Sequence, residues 1–130
     1  MKNCKKISFV LSLALIFGLM GNVKAHAGEW SMTFPTAKFA KTDWDHYDYY
    51  DGGNSYISLT RIVDGPSYYC NAQAVNDNNE ARSSYVLCLQ GDGYNTLSNV
   101  SMQSGYLYYV RAYNDYFETS YRWAYGDFSF

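Results

Sequence analysis

Nine consecutive residues, Asp43-Trp44-Asp45-His46-Tyr47-Asp48-Tyr49-Tyr50-Asp51, set four carboxylates around a histidine, the densest gathering of chemistry-bearing side chains in the chain. Oxygen-rich loops of this kind hold calcium in extracellular proteins. The spacing departs from an EF-hand loop, which needs an oxygen ligand at its fifth position, glycine at its sixth and glutamate at its twelfth. Counted from Asp43, the chain offers Tyr47, Asp48 and Asn54 instead. The segment therefore reads as a solvated acidic loop, with no metal expected. His46 is the only histidine beyond residue 27, and no serine sits in a G-x-S-x-G elbow, so a nucleophile–histidine–acid arrangement has no local signature. Glycoside hydrolysis would need two carboxylates across a cleft that a small β domain has little volume to form. No catalytic residue and no cofactor are assigned, and the chain is read as a non-enzyme.

Cys70 and Cys88 are the two cysteines beyond residue 27. An even pair in an oxidising compartment is expected to form a disulfide, and closing this loop stabilises by about 3 kcal/mol. They form neither a C-x-x-C redox motif nor a metal-thiolate spacing.

Aromatic residues are the other resource for binding. All fifteen tyrosines, with five phenylalanines and three tryptophans, lie beyond residue 27, giving 23 aromatics among 103 residues. Neighbouring strand residues face opposite sides, so the pairs Tyr68-Tyr69 and Tyr108-Tyr109 must each send one ring outward. An outward row of Tyr109, Arg111 and Tyr113 would form an amphipathic platform able to stack on sugars, aromatic ligands or another protein. The plainer reading is that such rings merely cover a two-sided sheet, since tyrosine favours strands and tolerates water. The alternating stripe Tyr121, Trp123 and Tyr125 is read as core.

These side chains must be carried by strands. Helical periodicity is absent, whereas short β-branched and aromatic runs separated by Gly, Asn, Asp and Pro recur throughout. Strands are expected at 29–34, with Trp30, Met32 and Phe34 on one face, around 38–42, and at 55–63, with Ile57, Leu59 and Val63 on one side and Tyr56, Ser58 and Thr60 on the other. Further strands are expected at 67–75, 81–90 and, more weakly, 94–102, and a last hairpin joins 106–113 to 119–125. A loop at 76–80 makes 67–75 and 81–90 a hairpin. If its partners sum to 158, Cys70 faces Cys88, Ala72 faces Val86 and Ala74 faces Ser84, which places both sulfurs at a bridgeable separation. The fold class is all-β: a small antiparallel β-sandwich or flattened barrel of six to seven strands, its core holding Trp30, Ile57, Leu59, Val86, Val110 and Trp123.

The first 27 residues stand apart. Lys2, Lys5 and Lys6 precede an apolar run over 7–20, too short to span a bilayer and followed by Gly21-Asn22, the order of a signal peptide whose helix is removed on export. Ala25-His26-Ala27 supplies the small residues read by signal peptidase, so cleavage is expected after Ala27, with Val23-Lys24-Ala25 as a second candidate. Residues 28–130 then form a single secreted domain with no stable membrane insertion. Four of the ten basic residues leave with the signal while all twelve acids stay, so six bases face twelve acids and the net charge is −6. That balance excludes a basic nucleic-acid footprint and a cationic membrane-targeting face.

A lysine-tipped signal, Gly28-Glu29-Trp30 opening the first strand, a tyrosine-rich middle, Gly105-Tyr106 leading into the strand of Arg111, and Trp123 near a short polar C-terminus give the chain its outline. It resembles the small exported β proteins of Gram-positive bacteria and is distantly similar to lactococcin-like bacteriocins. The resemblance implies a compact β-sandwich and a bacteriocin-like antagonist acting at a cell surface; no site residue transfers from it. The expected function is thus an exported, non-enzymatic protein binding a cell-surface component, the alternative being a carbohydrate-binding module whose aromatic platform holds a glycan.

Overall fold

A computed structural model describes residues 28–65, 69–115, 117 and 119–130. The expected signal peptide, its cleavage site and Tyr68 lie outside them. The described residues are all-β, without helix, and none forms a helix long and apolar enough to cross a membrane.

Among the described residues ten strands occur in chain order: β1 (Gly28–Phe34), β2 (Lys41–Thr42), β3 (Asp48–Tyr49), β4 (Tyr56–Ile57), β5 (Arg61–Ile62), β6 (Tyr69–Val75), β7 (Val86–Leu89), β8 (Asn95–Thr96), β9 (Leu107–Asn114) and β10 (Arg122–Ser129). They form two five-stranded antiparallel sheets. In the first, β10 is central, with β1 on one side and β4 and β5 on the other; β8 pairs with β4. In the second, β9 is central, with β2 and β3 on one side and β6 on the other; β7 pairs with β6. The count exceeds the six or seven expected because several strands are two-residue contacts that carry little sequence signal.

Both sheets feed one buried cluster. The first sheet supplies bulk: Trp30, Phe34, Ile57, Leu59, Phe128 and Phe130. Each such side chain, fully buried, contributes about 1.5–3 kcal/mol. The second sheet receives them with small residues, Cys70, Ala72, Ala74 and Ala112, beside Val110. Trp30 sits opposite Gly126, and its Nε1 donates to the Ser58 carbonyl at 3.0 Å. A β-carbon on Gly126 would lie 1.9 Å from that oxygen and 2.4 Å from Nε1, so only glycine lets the indole lie there.

Four sequence expectations need correction. The last two long strands are not a hairpin, because β9 and β10 belong to different sheets and the chain crosses between them. Trp123 is not core: it is 51% exposed, and Ala124 and Phe128 take the inward side with Gly126, because a tryptophan there would compete with Trp30 for the same space. The strand expected over 55–63 is interrupted, since Thr60 N bonds the Tyr125 carbonyl at 2.8 Å while Arg61 pairs with the same Tyr125. Two residues opposing one is a β-bulge, which flips the phase so that Ile62, not Val63, is buried. Finally, the β6–β7 register holds from Tyr69↔Leu89 to Ala72↔Val86 and then slips: Val75 bridges Ala81, and Ala74 does not face Ser84. The Ser83 hydroxyl accepts from Ala74 N at 3.0 Å, and Ser84 N bonds the Ser98 carbonyl, so these serines leave the ladder without orphaning their backbone partners.

Candidate functional site

The expected row Tyr109, Arg111 and Tyr113 does share the outward face of β9, all three partly buried, while Tyr108 turns inward and its hydroxyl accepts from Gln103 N at 2.7 Å. The row is not one open platform. Arg111 is consumed internally: Nε and Nη2 donate to Gln73 Oε1 at 2.9 and 2.5 Å, and Nη1 to the Asn79 carbonyl at 2.7 Å. It ties down the loop after β6, which covers this part of the sheet. The loop is further held by Gln73 Nε2 donating to the Ser83 carbonyl and by the Thr42 hydroxyl bonding Asn79 Oδ1. Tyr113 packs edge-on against Tyr85, ring centroids 5.0 Å apart. Burial, Tyr85 and Asp115 together push its phenol above the usual tyrosine range. Tyr109 belongs to a different cluster, with Trp44 at 4.9 Å and Tyr47 at 6.2 Å.

Cys70 and Cys88 face each other as cross-strand partners, as the hairpin arithmetic requires. Both are buried thiols, so the expected bond is not formed in this structure; what is shown is the pairing that would permit it. The hydrogen bond with Cys88, and then burial, hold the Cys70 thiol well above its usual range. A neutral, enclosed thiol is a poor nucleophile, which makes Cys70 unreactive, while the same hydrogen bond draws the Cys88 thiol below its usual range.

The acidic segment is built around Asp43, which is nearly buried. Its Oδ2 accepts from Ser31 N at 2.8 Å and is 2.8 Å from His46 Nδ1, and its Oδ1 accepts from Asp45 N at 3.0 Å. The carboxylate thereby caps the free edge of β1, where an unpaired N–H would otherwise invite another strand. If Nδ1 carries the proton toward Asp43, His46 Nε2 is left as an acceptor. No group of three or more His, Cys, Asp and Glu is placed to hold a metal ion among the described residues.

The feature that the sequence reading placed in the core lies outside on the first sheet. Trp123 and Tyr125, 51% and 41% exposed, project from the outward face of β10 with ring planes within 20° and centroids 6.1 Å apart. Their cross-strand partners on β1 are Thr33 and Ser31, too small to cover them. The Thr60–Arg61 bulge sits directly opposite Tyr125. Two hollows adjoin at Ser31. One, of about 280 Å³, joins Trp123 to Trp44 past Ser31, Thr33, Lys41 and Asp45. The other, of similar volume, is lined by Glu29, Ser31, His46, Thr60, Tyr125 and Asp127. A trough with two ring faces and a series of carboxylates and hydroxyls thus follows the β1 edge. Asp127 shares the parity of Trp123 and Tyr125, and that one charge is the signal by which the sequence could have assigned this stripe outward.

No family model matches the chain, and no curated protein or solved structure matches it significantly.

Proposed function

We propose that the protein is an exported, non-enzymatic binding protein that recognises carbohydrate at a cell surface, using the trough along β1. The observation that carries this reading is the near-parallel, half-exposed pair Trp123 and Tyr125 beside the two hollows meeting at Ser31. Ring faces of one orientation stack on the C–H face of a sugar, while carboxylates and hydroxyls alongside accept and donate to its hydroxyl groups. The elongated trough suits an oligosaccharide better than a single ring. In this reading the two sheets form a sandwich, the Cys70–Cys88 pair oxidises outside the cell, and Arg111 is a structural tie.

A glycan array followed by calorimetry on the best ligand tests the proposal. Trp123→Ala and Tyr125→Ala should each weaken binding by at least about tenfold, the loss typical of a central aromatic contact. Both side chains are half-exposed, so the substitutions leave the core intact. Absence of saturable glycan binding, or binding indifferent to both changes, would refute it.

A further inference from the structure

The second aromatic cluster differs in geometry from the first. Trp44 and Tyr47 stand at 65° and 67° to the Tyr109 ring, and Tyr49 stands at 87° to Tyr47, 6.3 Å away. Trp44 and Tyr47 are about half exposed (48% and 54%), and Tyr109 lies lower, partly buried. Faces set this steeply do not make a flat surface for a sugar ring. We propose that Trp44, Tyr47 and Tyr109 form an open cage for a quaternary ammonium group of the choline type, borne by a small solute or a polymer.

Three observations support that occupant. A roughly spherical, weakly hydrated cation can touch several steeply set ring faces at once, each attracting it through the negative face of its π system. The segment that carries Trp44 and Tyr47 holds four carboxylates and no lysine or arginine over residues 43–51, so the field around the rings favours a cation. Arg111, on the Tyr109 face of β9, is tied to Gln73 and Asn79, and Lys41 lines the hollow between Trp44 and Trp123. The rings are also held in advance. Asp43 fixes the start of the segment to β1 through Ser31 N, Asp43 N bonds the Val110 carbonyl, and Tyr49 pairs with Leu107 in the β3–β9 ladder. Preorganised rings lose little freedom when the ligand enters.

The inference is separable from the glycan reading: Trp44 also borders the hollow that reaches Trp123, but Tyr47, between β2 and β3, and Tyr109, on β9, belong to the cage and not to the Trp123–Tyr125 pair. The test is titration of the purified protein with choline chloride at constant ionic strength, read by calorimetry and tryptophan fluorescence. It is run beside ammonium chloride and the neutral isostere in which carbon replaces the nitrogen. Saturable binding with a dissociation constant of about 1–10 mM is expected, with the isostere and ammonium each at least about tenfold weaker. Trp44→Ala and Tyr47→Ala should abolish it with circular dichroism unchanged, Trp44→Phe should keep part of it, and Trp123→Ala should leave it intact. Equal binding of the isostere, no saturation, persistence in both alanine variants, or loss in Trp123→Ala would overturn the proposal. So would association with phosphatidylcholine vesicles without binding of free choline, which would make the patch a membrane surface.

Discussion

Replacing Gly126 with alanine tests the packing on which both faces of the first sheet depend. The new β-carbon would sit 1.9 Å from the Ser58 carbonyl oxygen and 2.4 Å from Trp30 Nε1, wedged between a donor and an acceptor now 3.0 Å apart. Ser58 belongs to the backbone alongside β10 and cannot swing aside, so the fully buried indole must move. Orphaning the indole N–H or the carbonyl destabilises by about 1–3 kcal/mol per group, and forcing a packed ring off its site by a similar amount. A loss of about 4 kcal/mol or more is expected, against a total stability of about 5–15 kcal/mol for a domain of this size. Urea unfolding of the purified protein, followed by tryptophan fluorescence, measures it as a fall in midpoint at unchanged slope. Gly28→Ala is the control: the three atoms nearest its β-carbon would all belong to the Phe128 ring, two of them at 2.7 Å, and a ring can tilt where a backbone carbonyl cannot. A loss of about 1–2 kcal/mol is expected there. Should Gly126→Ala unfold within about 1 kcal/mol of the parent, the indole does not lie across position 126, and the outward assignment of Trp123 and Tyr125 loses its footing.

Arg111→Met should destabilise by about 1–3 kcal/mol, because it strips the donors from the amide oxygen of Gln73, a residue only 3% exposed; glycan binding should be unchanged, and weakened binding without loss of stability would restore Arg111 to the ligand site. Mild oxidation should join Cys70 to Cys88, seen by peptide mass spectrometry, and raise unfolding stability by about 3 kcal/mol over the reduced form. Two thiols that remain alkylatable after oxidation and unfolding would contradict the cross-strand pairing. The Tyr113 phenol ionises above its unfolded value of about 10, so its contribution is fully present below that pH and is lost as pH rises through the folded value. Alkaline unfolding should accordingly steepen above about pH 10 and flatten in Tyr113→Phe; an identical alkaline limb in both proteins would count against the assigned cause.

The elements most legible in the sequence were those whose phase is marked by several residues at once. β1 reads correctly because Trp30, Met32 and Phe34 alternate with Glu29, Ser31 and Thr33, and the β6–β7 pairing because the two cysteines and the 76–80 loop agree. β10 misled because both its faces carry aromatic residues, and hydrophobicity favours the wrong one: Trp123 and Tyr125 outweigh Ala124 and Gly126 until the partner strand is known. The bulge at Thr60–Arg61 leaves no local mark, since it is defined by the carbonyls of β10 that it faces. For the candidate site, the acidic segment and the outward Tyr109 were visible, but Arg111 looked like a ligand residue. What neutralises it is Gln73, 38 positions away, and no local pattern reports that contact.

The distribution of ring size between the two sheets explains why so many aromatics are left outside. Trp30, Phe34, Phe128 and Phe130 fill the shared interior from one side, and the opposite wall of Cys70, Ala72, Ala74 and Ala112 leaves room for little more. Interiors are packed near crystal density, so additional rings cannot be absorbed without expelling these. Trp44, Tyr47, Tyr49, Trp123 and Tyr125 are outward for that geometric reason. Trp123 and Tyr125 stand on the central strand β10, where rings could serve only as a structural cover. Trp44 and Trp123, however, also meet across the hollow at the β1 edge, beside Lys41, Asp45 and Ser31. Edge strands are ordinarily blunted by charge or cover. Asp43 already blocks the Ser31 N–H, so the flanking tryptophans are not needed for that protection, and ligand recognition is the function that their position along the trough supports.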